Sequence, residues 1–235
     1  MKNYTNGYIL GVSIGDGYFY EEENRIQLTT KDKEFAEKFR KELEKFSSKE
    51  ASLYEYNYYE VKCWLGSPYI KERERDLHNQ NLEKKPKEYI KGIADGLFDS
   101  EGSIFIHNKL PVIKYGTTSE KEAELYKKCI ELLNIETNTN FSEPLYYVSI
   151  TNKKNYKKFI EKLNPIIERK TKKYYEWRDN YSSTYNKWSD KEIDILKEKY
   201  PSQGSDIKKL RNNDRTGDDI RTKANNLGIT KGDKN

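Results

Sequence analysis

The sequence contains few cysteines, histidines and methionines, and it has no long hydrophobic run. Its 235 residues include two cysteines, two histidines and one methionine. Isolated cysteines argue against a disulfide framework or a structural zinc site, and two histidines argue against chemistry built on several of them. No segment approaches the roughly 20 apolar residues of a membrane span, and no signal-peptide pattern follows Met1. We therefore expect an intracellular protein without a membrane partner, cytoplasmic in a prokaryote and organellar in a eukaryote.

Apolar residues are also scarce, at 34% of the chain, whereas charged residues make up 35%. Such a composition approaches that of disordered chains. The net charge is only +5, however, and 20 tyrosines supply large amphipathic side chains that an apolar count undervalues. We therefore expect a folded chain in which any catalysis depends on carboxylates, a metal or lysine.

The surplus of basic residues is concentrated between Lys153 and Asp179, a segment that contains ten basic residues and only four acidic ones. Tyrosine and tryptophan residues alternate with these charges. The run is either a solvated helix face or a patch that contacts nucleic-acid phosphates. Under the second interpretation, Lys170 and Lys172 are the predicted DNA contacts.

Two related segments indicate an internal duplication. YILGVSIGDGYF spans residues 8–19, IADGLFDSEGSIF spans 93–105, and the distance from Asp16 to Glu101 is 85 residues. A second pair of markers, beginning at Thr30 and Thr118, repeats after 88 residues. Two markers at nearly the same offset predict a repeated unit of about 85 residues.

Each unit is predicted to have the order αββαββα. The first helix ends at the acid-glycine pair, and Gly17 or Gly102 is expected to be the left-handed residue that follows it. Asp32 and Ser119 are the expected N-caps of the second helix in each unit. The predicted strands cover 18–22, 25–30, 53–56 and 59–64 in the first unit and 103–108, 112–118, 140–142 and 146–150 in the second. The closing helices are expected near 67–78 and 155–163.

The pattern changes after about residue 182. Residues 180–186 have the composition of a linker, and three short helical patterns follow, beginning at Trp188. The predicted organisation is thus a first repeat at 1–88, a second repeat at 89–182 and a small all-α module of three helices at 187–230.

Small residues on the two motif helices predict where the acids lie. Gly11 and Gly15 share one helix face, as do Gly96 and Ser100, so the helices can pack backbone to backbone. Asp16 and Glu101 would then meet at two helix C-termini, where each opposes the helix dipole by about 0.3–1 kcal/mol and repels the other. A divalent cation removes both penalties, which predicts that these acids hold Mg²⁺ or Mn²⁺. The alternative is that each is a surface acid before a helix-ending glycine.

These segments resemble the two LAGLIDADG motifs of the homing endonuclease family. The nine positions of the motif align with Ile9–Gly17 and with Ala94–Gly102. The eighth position, which binds metal in the family, is Asp16 in the first segment and Glu101 in the second. The resemblance covers about residues 4–180. It implies an α+β fold in which two antiparallel four-stranded sheets form a saddle in the DNA major groove. It also implies a monomeric, metal-dependent endonuclease that hydrolyses one phosphodiester in each strand.

The resemblance also implies a basic residue near the metals that polarises the attacked phosphate. Lys62 is the candidate in the first unit, although it could equally be an outward-facing strand lysine. The matching strand of the second unit offers Ser149 and no lysine. The sixth motif letter is Ile14 in the first motif, and Glu101 is a longer acid than the usual Asp.

Polar residues alternate along the second predicted strand, as they would on a surface that reads base edges. Arg25, Gln27 and Thr29 occupy these positions, and Arg and Gln suit bidentate contacts in the major groove. An ordinary solvated sheet face is the alternative interpretation.

The C-terminal module resembles a Myb/SANT-like helix-turn-helix. Trp188 opens it, and a segment that runs from Arg215 to Ile229 carries the rest of the likeness. The resemblance implies that the third helix enters the major groove. The predicted DNA-binding residues are Arg215, Arg221, Lys223 and Asn225. The alternative is a small helical cap.

Double-stranded DNA is therefore the expected partner, and site-specific cleavage the expected function. Two rival functions stay open. A non-cleaving protein of the same fold could act as an RNA maturase or a transcription regulator. In a plain DNA-binding protein, the acids would only end helices.

Overall fold

The chain divides into two units, Met1–Trp177 and Arg178–Asn235. The computed structural model describes residues 2–47, 49–65, 81–108, 110–163, 165–184, 188–212 and 215–232. Among these residues, no helix is both long and apolar enough to cross a membrane.

The first unit contains the same order of helices and strands twice. The first repeat consists of α1 (Lys2–Ile14), β1 (Gly17–Tyr20), β2 (Arg25–Thr30), α2 (Lys33–Ser47), β3 (Ser52–Glu55) and β4 (Tyr59–Trp64). The second consists of a 3-10 helix (Asn81–Lys84), α3 (Lys87–Glu101), β5 (Gly102–His107), β6 (Leu110–Thr117), α4 (Glu120–Leu132), β7 (Asn138–Ser142), β8 (Leu145–Ile150) and α5 (Lys153–Leu163). Helix α6 (Glu168–Thr184) follows and spans the division between the units. The helix predicted near 67–78 lies outside the described residues.

Each repeat builds one antiparallel four-stranded sheet, with strand orders β1-β2-β4-β3 and β5-β6-β8-β7. This confirms the predicted α+β class. The alternation predicted for the strands is also present: Ile26, Leu28, Val61 and Cys63 are buried on the helix side of the first sheet. Their strand neighbours therefore form an open face on the other side.

Amphipathic helices close the helix side of each sheet. In α2, Phe35, Phe39 and Leu43 recur at helical spacing and are fully buried. Helix α4 starts as predicted, because the Ser119 side chain accepts a hydrogen bond from the backbone N–H of Glu122.

The glycines that follow the two motif helices are not in the predicted left-handed conformation. Gly102 has φ −75° and ψ 153° and is the first residue of β5, and Gly17 is the first residue of β1. Glycine is needed at position 102 because a Cβ there would lie 2.1 Å from the Phe98 ring. At position 17 a Cβ would lie 2.8 Å from the Ser13 Cα. The chain therefore turns directly from helix to strand, which keeps each acid beside its sheet.

After the end of α6, the described residues of the second unit form three further helices, α7 (Asp190–Gln203), α8 (Lys208–Arg211) and α9 (Gly217–Asn226). They enclose a small apolar core made of Leu196, Tyr200, Ile207, Leu210, Ile220 and Ala224. Both α7 and α9 begin with a capping box, Ser189 with Glu192 and Thr216 with Asp219.

Candidate active site and nucleic-acid interface

Helices α1 and α3 meet along a stripe of glycines. A Cβ on Gly11 would lie 2.4 Å from the Ile93 carbonyl oxygen, and one on Gly96 would lie 2.5 Å from the Tyr8 carbonyl oxygen. The predicted backbone-to-backbone packing is therefore confirmed. The stripe extends one turn beyond the prediction, because Gly7 and Gly92 make equally close approaches. Their spacing of four residues from Gly11 and Gly96 was the signal that could have revealed them.

This packing brings the two motif acids to one place. Asp16 lies in the turn after α1, and Glu101 is the last residue of α3; both are exposed. Partial loss of hydration raises the pKa of the Glu101 carboxyl, and the charge of Asp16 raises it further. Loss of hydration also raises the pKa of Asp16, while the Lys170 and Arg169 cations oppose the increase. The two acids thus share one electrostatic environment.

The chemistry of this pair suits a hard divalent cation. Mg²⁺ binds through one or two carboxylates and keeps its other positions for water and phosphate oxygens. In the described part of the chain, no group of three or more His, Cys, Asp or Glu side chains is placed to hold a metal. The Asp16 and Glu101 pair therefore fits Mg²⁺ or Mn²⁺ with substrate completing the shell, and it does not fit a closed protein cage.

Lys170 is placed differently from the prediction. Its side chain is buried, and its amine donates hydrogen bonds to the carbonyl oxygens of Phe98, Asp99 and Ser100 at 3.0, 2.7 and 3.0 Å. Burial lowers the pKa of Lys170 to about 8. The amine therefore satisfies the C-terminal carbonyls of α3, directly before Glu101, instead of facing a phosphate.

The neighbouring cation reaches the other repeat. Arg169 donates two hydrogen bonds to the carboxylate of Asp32, at 2.6 and 2.7 Å. Asp32 was predicted as the N-cap of α2, and its side chain is engaged in this ion pair. The start of α6 thus contacts both repeats next to the acids. The run of basic residues in the sequence does not indicate that Lys170 is the buried one.

Buried acids on α3 fix the pairing of the motif helices. Tyr4 donates to Asp95 at 2.7 Å, Tyr8 donates to Asp99 at 2.9 Å, and Lys38 pairs with Asp99 at 3.0 Å. Burial raises the pKa of Asp95 to about 8. These two acids are therefore structural, and the sequence analysis did not identify them as a group.

The open face of the first sheet carries the three residues predicted there and also Lys62, which was predicted near the metals. Arg25, Gln27 and Thr29 share this face with Lys62, and Gln27 lies directly across from Lys62. Arg25 donates to the Gln27 oxygen at 2.5 Å, and the Gln27 amide donates to Glu60 at 2.7 Å. Glu60 also pairs with Lys62 at 2.6 Å, which raises the pKa of Lys62. The face is a connected polar network.

The second sheet has its lysine on a different strand. Ser149 lies directly across from Lys114 of β6, which occupies the position that Gln27 has in the first sheet. The Lys114 amine lies 3.3 Å from the centroid of the Tyr147 ring. Each open face therefore carries a lysine in the same row of directly paired residues, Gln27 with Lys62 in one sheet and Lys114 with Ser149 in the other. A comparison of the fourth strands alone could not reveal Lys114.

The basic residues of α6 and the second unit differ in exposure. Lys172 is exposed and pairs loosely with Glu176, at 3.9 Å. On α9, Arg221 and Asn225 are exposed and Lys223 is partly exposed. Arg215 is buried instead: it donates two hydrogen bonds of 2.9 Å to Glu192 and lies 4.6 Å from the Trp188 ring centroid. Its predicted DNA contact is therefore replaced by a role in the core of this unit.

Solved structures share this fold. A mesophilic variant of the homing endonuclease I-DmoI aligns with a TM-score of 0.53 at 14% identity, covering 70% of this chain and 98% of that chain. The homing endonuclease I-WcaI bound to its DNA recognition sequence gives 0.53 at 17% identity, covering 72% and 85%. Full-length DUF199/WhiA from Thermatoga maritima gives 0.60 at 12% identity, covering 83% and 65%. At these identities the likeness shows the fold alone.

The sequence comparisons identify the family. No curated protein matches the sequence. The family model for a LAGLIDADG-like domain matches residues 3–61 and 88–164, which together make up more than half of the chain. The matched segments contain both glycine stripes and both eighth-letter acids. The chain belongs to the LAGLIDADG-like family.

Proposed function

We propose that this protein is a homing endonuclease that makes a double-strand break at a long DNA site in the presence of Mg²⁺ or Mn²⁺. One observation carries the proposal: two acids from separate repeats converge where α1 and α3 end, and the charge of Asp16 raises the pKa of Glu101. An arrangement that is unfavourable in the isolated protein is expected at a cation site. One chain supplies both acids, so we propose a monomer.

Asp16 and Glu101 would hold the cation. When bound, the cation supplies positive charge against the attacked phosphate and lowers the pKa of water. The structure of I-DmoI with DNA and Mn gives a TM-score of 0.51 against this chain, at 14% identity and with 69% of this chain and 97% of that chain covered, which supports a divalent metal.

Polar side chains on the open faces and on α6 would bind and position the DNA. Lys62 and Lys114 lie in the same row of the two open faces, and Lys62 would exchange its Glu60 partner for the attacked phosphate. Arg25, Gln27 and Thr29 offer hydrogen bonds to base edges, and exposed Lys172 offers a phosphate contact. Lys170 acts as a positioning residue, since it holds the end of α3 from which Glu101 projects.

The second unit is proposed to bind DNA as a Myb/SANT-like helix-turn-helix module at 187–230, in addition to the repeats proposed at 1–88 and 89–182. Arg221, Lys223 and Asn225 would contact DNA from α9. This module would extend the site and add affinity.

A non-cleaving DNA-binding regulator is the second candidate. It is favoured by the ion pairs on the first open face, because Arg25 and Lys62 are already neutralised by Glu23 and Glu60. A protein that only binds DNA needs no lysine free for the attacked phosphate.

Break mapping separates the two candidates. We would incubate the full chain with genomic DNA that contains the intron-free insertion locus, with Mg²⁺, with Mn²⁺ or with EDTA, and sequence the DNA ends. Endonuclease activity predicts recurrent paired breaks that require metal and are absent with Asp16→Asn. Glu88→Gln, an exposed acid at the start of α3, is the matched control and should cut normally. Metal-dependent cutting by Asp16→Asn at the wild-type rate would exclude the assigned site.

A further inference from the structure

The open face of the first sheet carries aromatic rings that the proposed cleavage does not use. Tyr18 is 62% exposed, Trp64 is 48% exposed and Tyr54 is 43% exposed. The strand register places Tyr18 across from Gln27, Trp64 across from Arg25 and Tyr54 across from Glu60. Exposed large apolar groups gathered on one face mark a binding surface.

The rings are not a requirement of the fold. The second sheet has Ser103 where the first has Tyr18, and Asn140 where the first has Tyr54. Its Tyr147 ring is covered by the Lys114 amine. The open face of the second sheet keeps Phe105 in the position of Tyr20, but it has no ring in the positions of Tyr18 and Tyr54. The backbone plan therefore does not require these two exposed rings of the first sheet.

The charges on this face are paired. Arg25 binds Glu23 at 2.7 Å, and Lys62 binds Glu60 at 2.6 Å. A face whose cations are already neutralised attracts phosphates weakly. Flat, uncharged rings with amide and hydroxyl groups beside them suit a flat, uncharged ligand with hydrogen-bonding edges.

The rings are also held in place. The Arg25 guanidinium lies 3.9 Å from the centroid of Tyr20, and the Tyr20 and Tyr18 rings make a T-shaped contact with centroids 4.5 Å apart. Tyr20 thus packs against Tyr18. Binding to such a supported ring loses little side-chain entropy.

We propose that the open face of β1–β4 binds unpaired bases of single-stranded DNA, which stack on Tyr18, Trp64 and Tyr54. In an intact duplex, neighbouring base pairs cover the faces of each base, so only unpaired bases can use these rings. Four-stranded sheets with exposed aromatic side chains are a known platform for such stacking. The inference goes beyond the proposed cleavage, because it requires neither Asp16 nor a metal.

Binding of labelled (dT)15 to the full chain in EDTA tests the inference by fluorescence anisotropy. Each stacked base is worth enough that Tyr18→Ala and Trp64→Ala should each weaken binding by about fivefold or more. Trp64→Phe keeps a ring and should restore most of the affinity. The matched control is Phe141→Ala, since Phe141 is 53% exposed on β7 of the other sheet and its replacement should leave the affinity unchanged. Unchanged melting temperatures establish that the variants are folded.

Three results would overturn the inference. The first is wild-type affinity in both Tyr18→Ala and Trp64→Ala. The second is a salt dependence as steep as that of duplex binding, since stacking beside paired charges predicts a shallow slope. The third is tighter binding of the matching oligoribonucleotide, which would make RNA the ligand of this face. Asp16→Asn should bind (dT)15 like the wild type, so failure of the cleavage proposal would be recognised separately.

Discussion

The two repeats differ far more on their open faces than in their packing. Both place an acid at the end of a glycine-striped helix and both build a sheet of the same strand order. On the open faces, the first repeat has Tyr18 and Tyr54 at the positions where the second has Ser103 and Asn140. Backbone contact between α1 and α3 therefore fixes the architecture and the position of the acids, while the faces are free to bind different parts of a ligand.

The largest effect is expected where the repeats are most alike. Gly11→Ala and Gly96→Ala should each destabilise the first unit strongly, because the added Cβ would lie within 2.5 Å of backbone oxygen atoms that cannot move independently. Overpacking costs about 1–3 kcal/mol, occasionally more, and these positions belong at the upper end. Chemical denaturation measures the effect. Gly217→Ala should be close to neutral, because its Cβ would lie 3.1 Å from the flexible end of the Arg211 side chain and in ordinary contact with Ser205. A near-neutral effect at Gly11 or Gly96 would contradict the close contact between α1 and α3.

The stability of the fold should depend on pH through Asp95, a buried acid of the second motif. The first motif has Leu10 where the second has Asp95, whose pKa is raised to about 8 by burial. The folded chain therefore holds an extra proton between about pH 4 and pH 8, and its stability falls as the pH rises through that window. Asp95→Asn removes the titration, so it should gain stability relative to the wild type as the pH rises from about 5 to about 8. Urea unfolding at both pH values measures this, and parallel behaviour of the two proteins would contradict the assignment.

The cation behind Glu101 gives a smaller effect. Lys170→Met removes the amine that binds three carbonyl oxygens, of which the Phe98 oxygen keeps the Gly102 N–H as a donor, and should destabilise the fold by about 1–3 kcal/mol. Lys172→Met, two residues along α6 with an exposed amine, should stay within about 0.5 kcal/mol of the wild type. Equal melting temperatures for the two variants would show that the contact to α3 contributes nothing to stability.

The smallest effect is expected in the second unit. Arg221→Gln combined with Lys223→Gln should weaken duplex binding without changing stability, since neither side chain is part of the apolar core. The log–log salt slope should become shallower by about 0.9 for each phosphate that the variant no longer neutralises. Binding titrations at several salt concentrations measure the slope. An unchanged slope would favour the interpretation of this unit as a helical cap.

The sequence predicted what depends on spacing and missed what depends on three-dimensional partners. Glycines four residues apart and alternating strand residues have one structural solution each, so the helix contact and the open face of Arg25, Gln27 and Thr29 could be predicted. Lys170 and Arg215 could not be separated from exposed cations such as Lys172, because their burial depends on α3 and on Glu192. Lys114 was missed because its partnership with Ser149 exists only in the strand register.

A double-mutant cycle on Mn²⁺ affinity tests directly whether Asp16 and Glu101 hold one cation together. The affinity is measured by electron paramagnetic resonance with the protein bound to the DNA it cuts. The wild type, Asp16→Asn, Glu101→Gln and the double variant are compared. If the two repeats hold one cation together, each single change weakens Mn²⁺ binding and the double change costs much less than the sum. Strictly additive losses of affinity would mean that the acids hold metals independently, and unchanged affinity in either single variant would contradict the shared site.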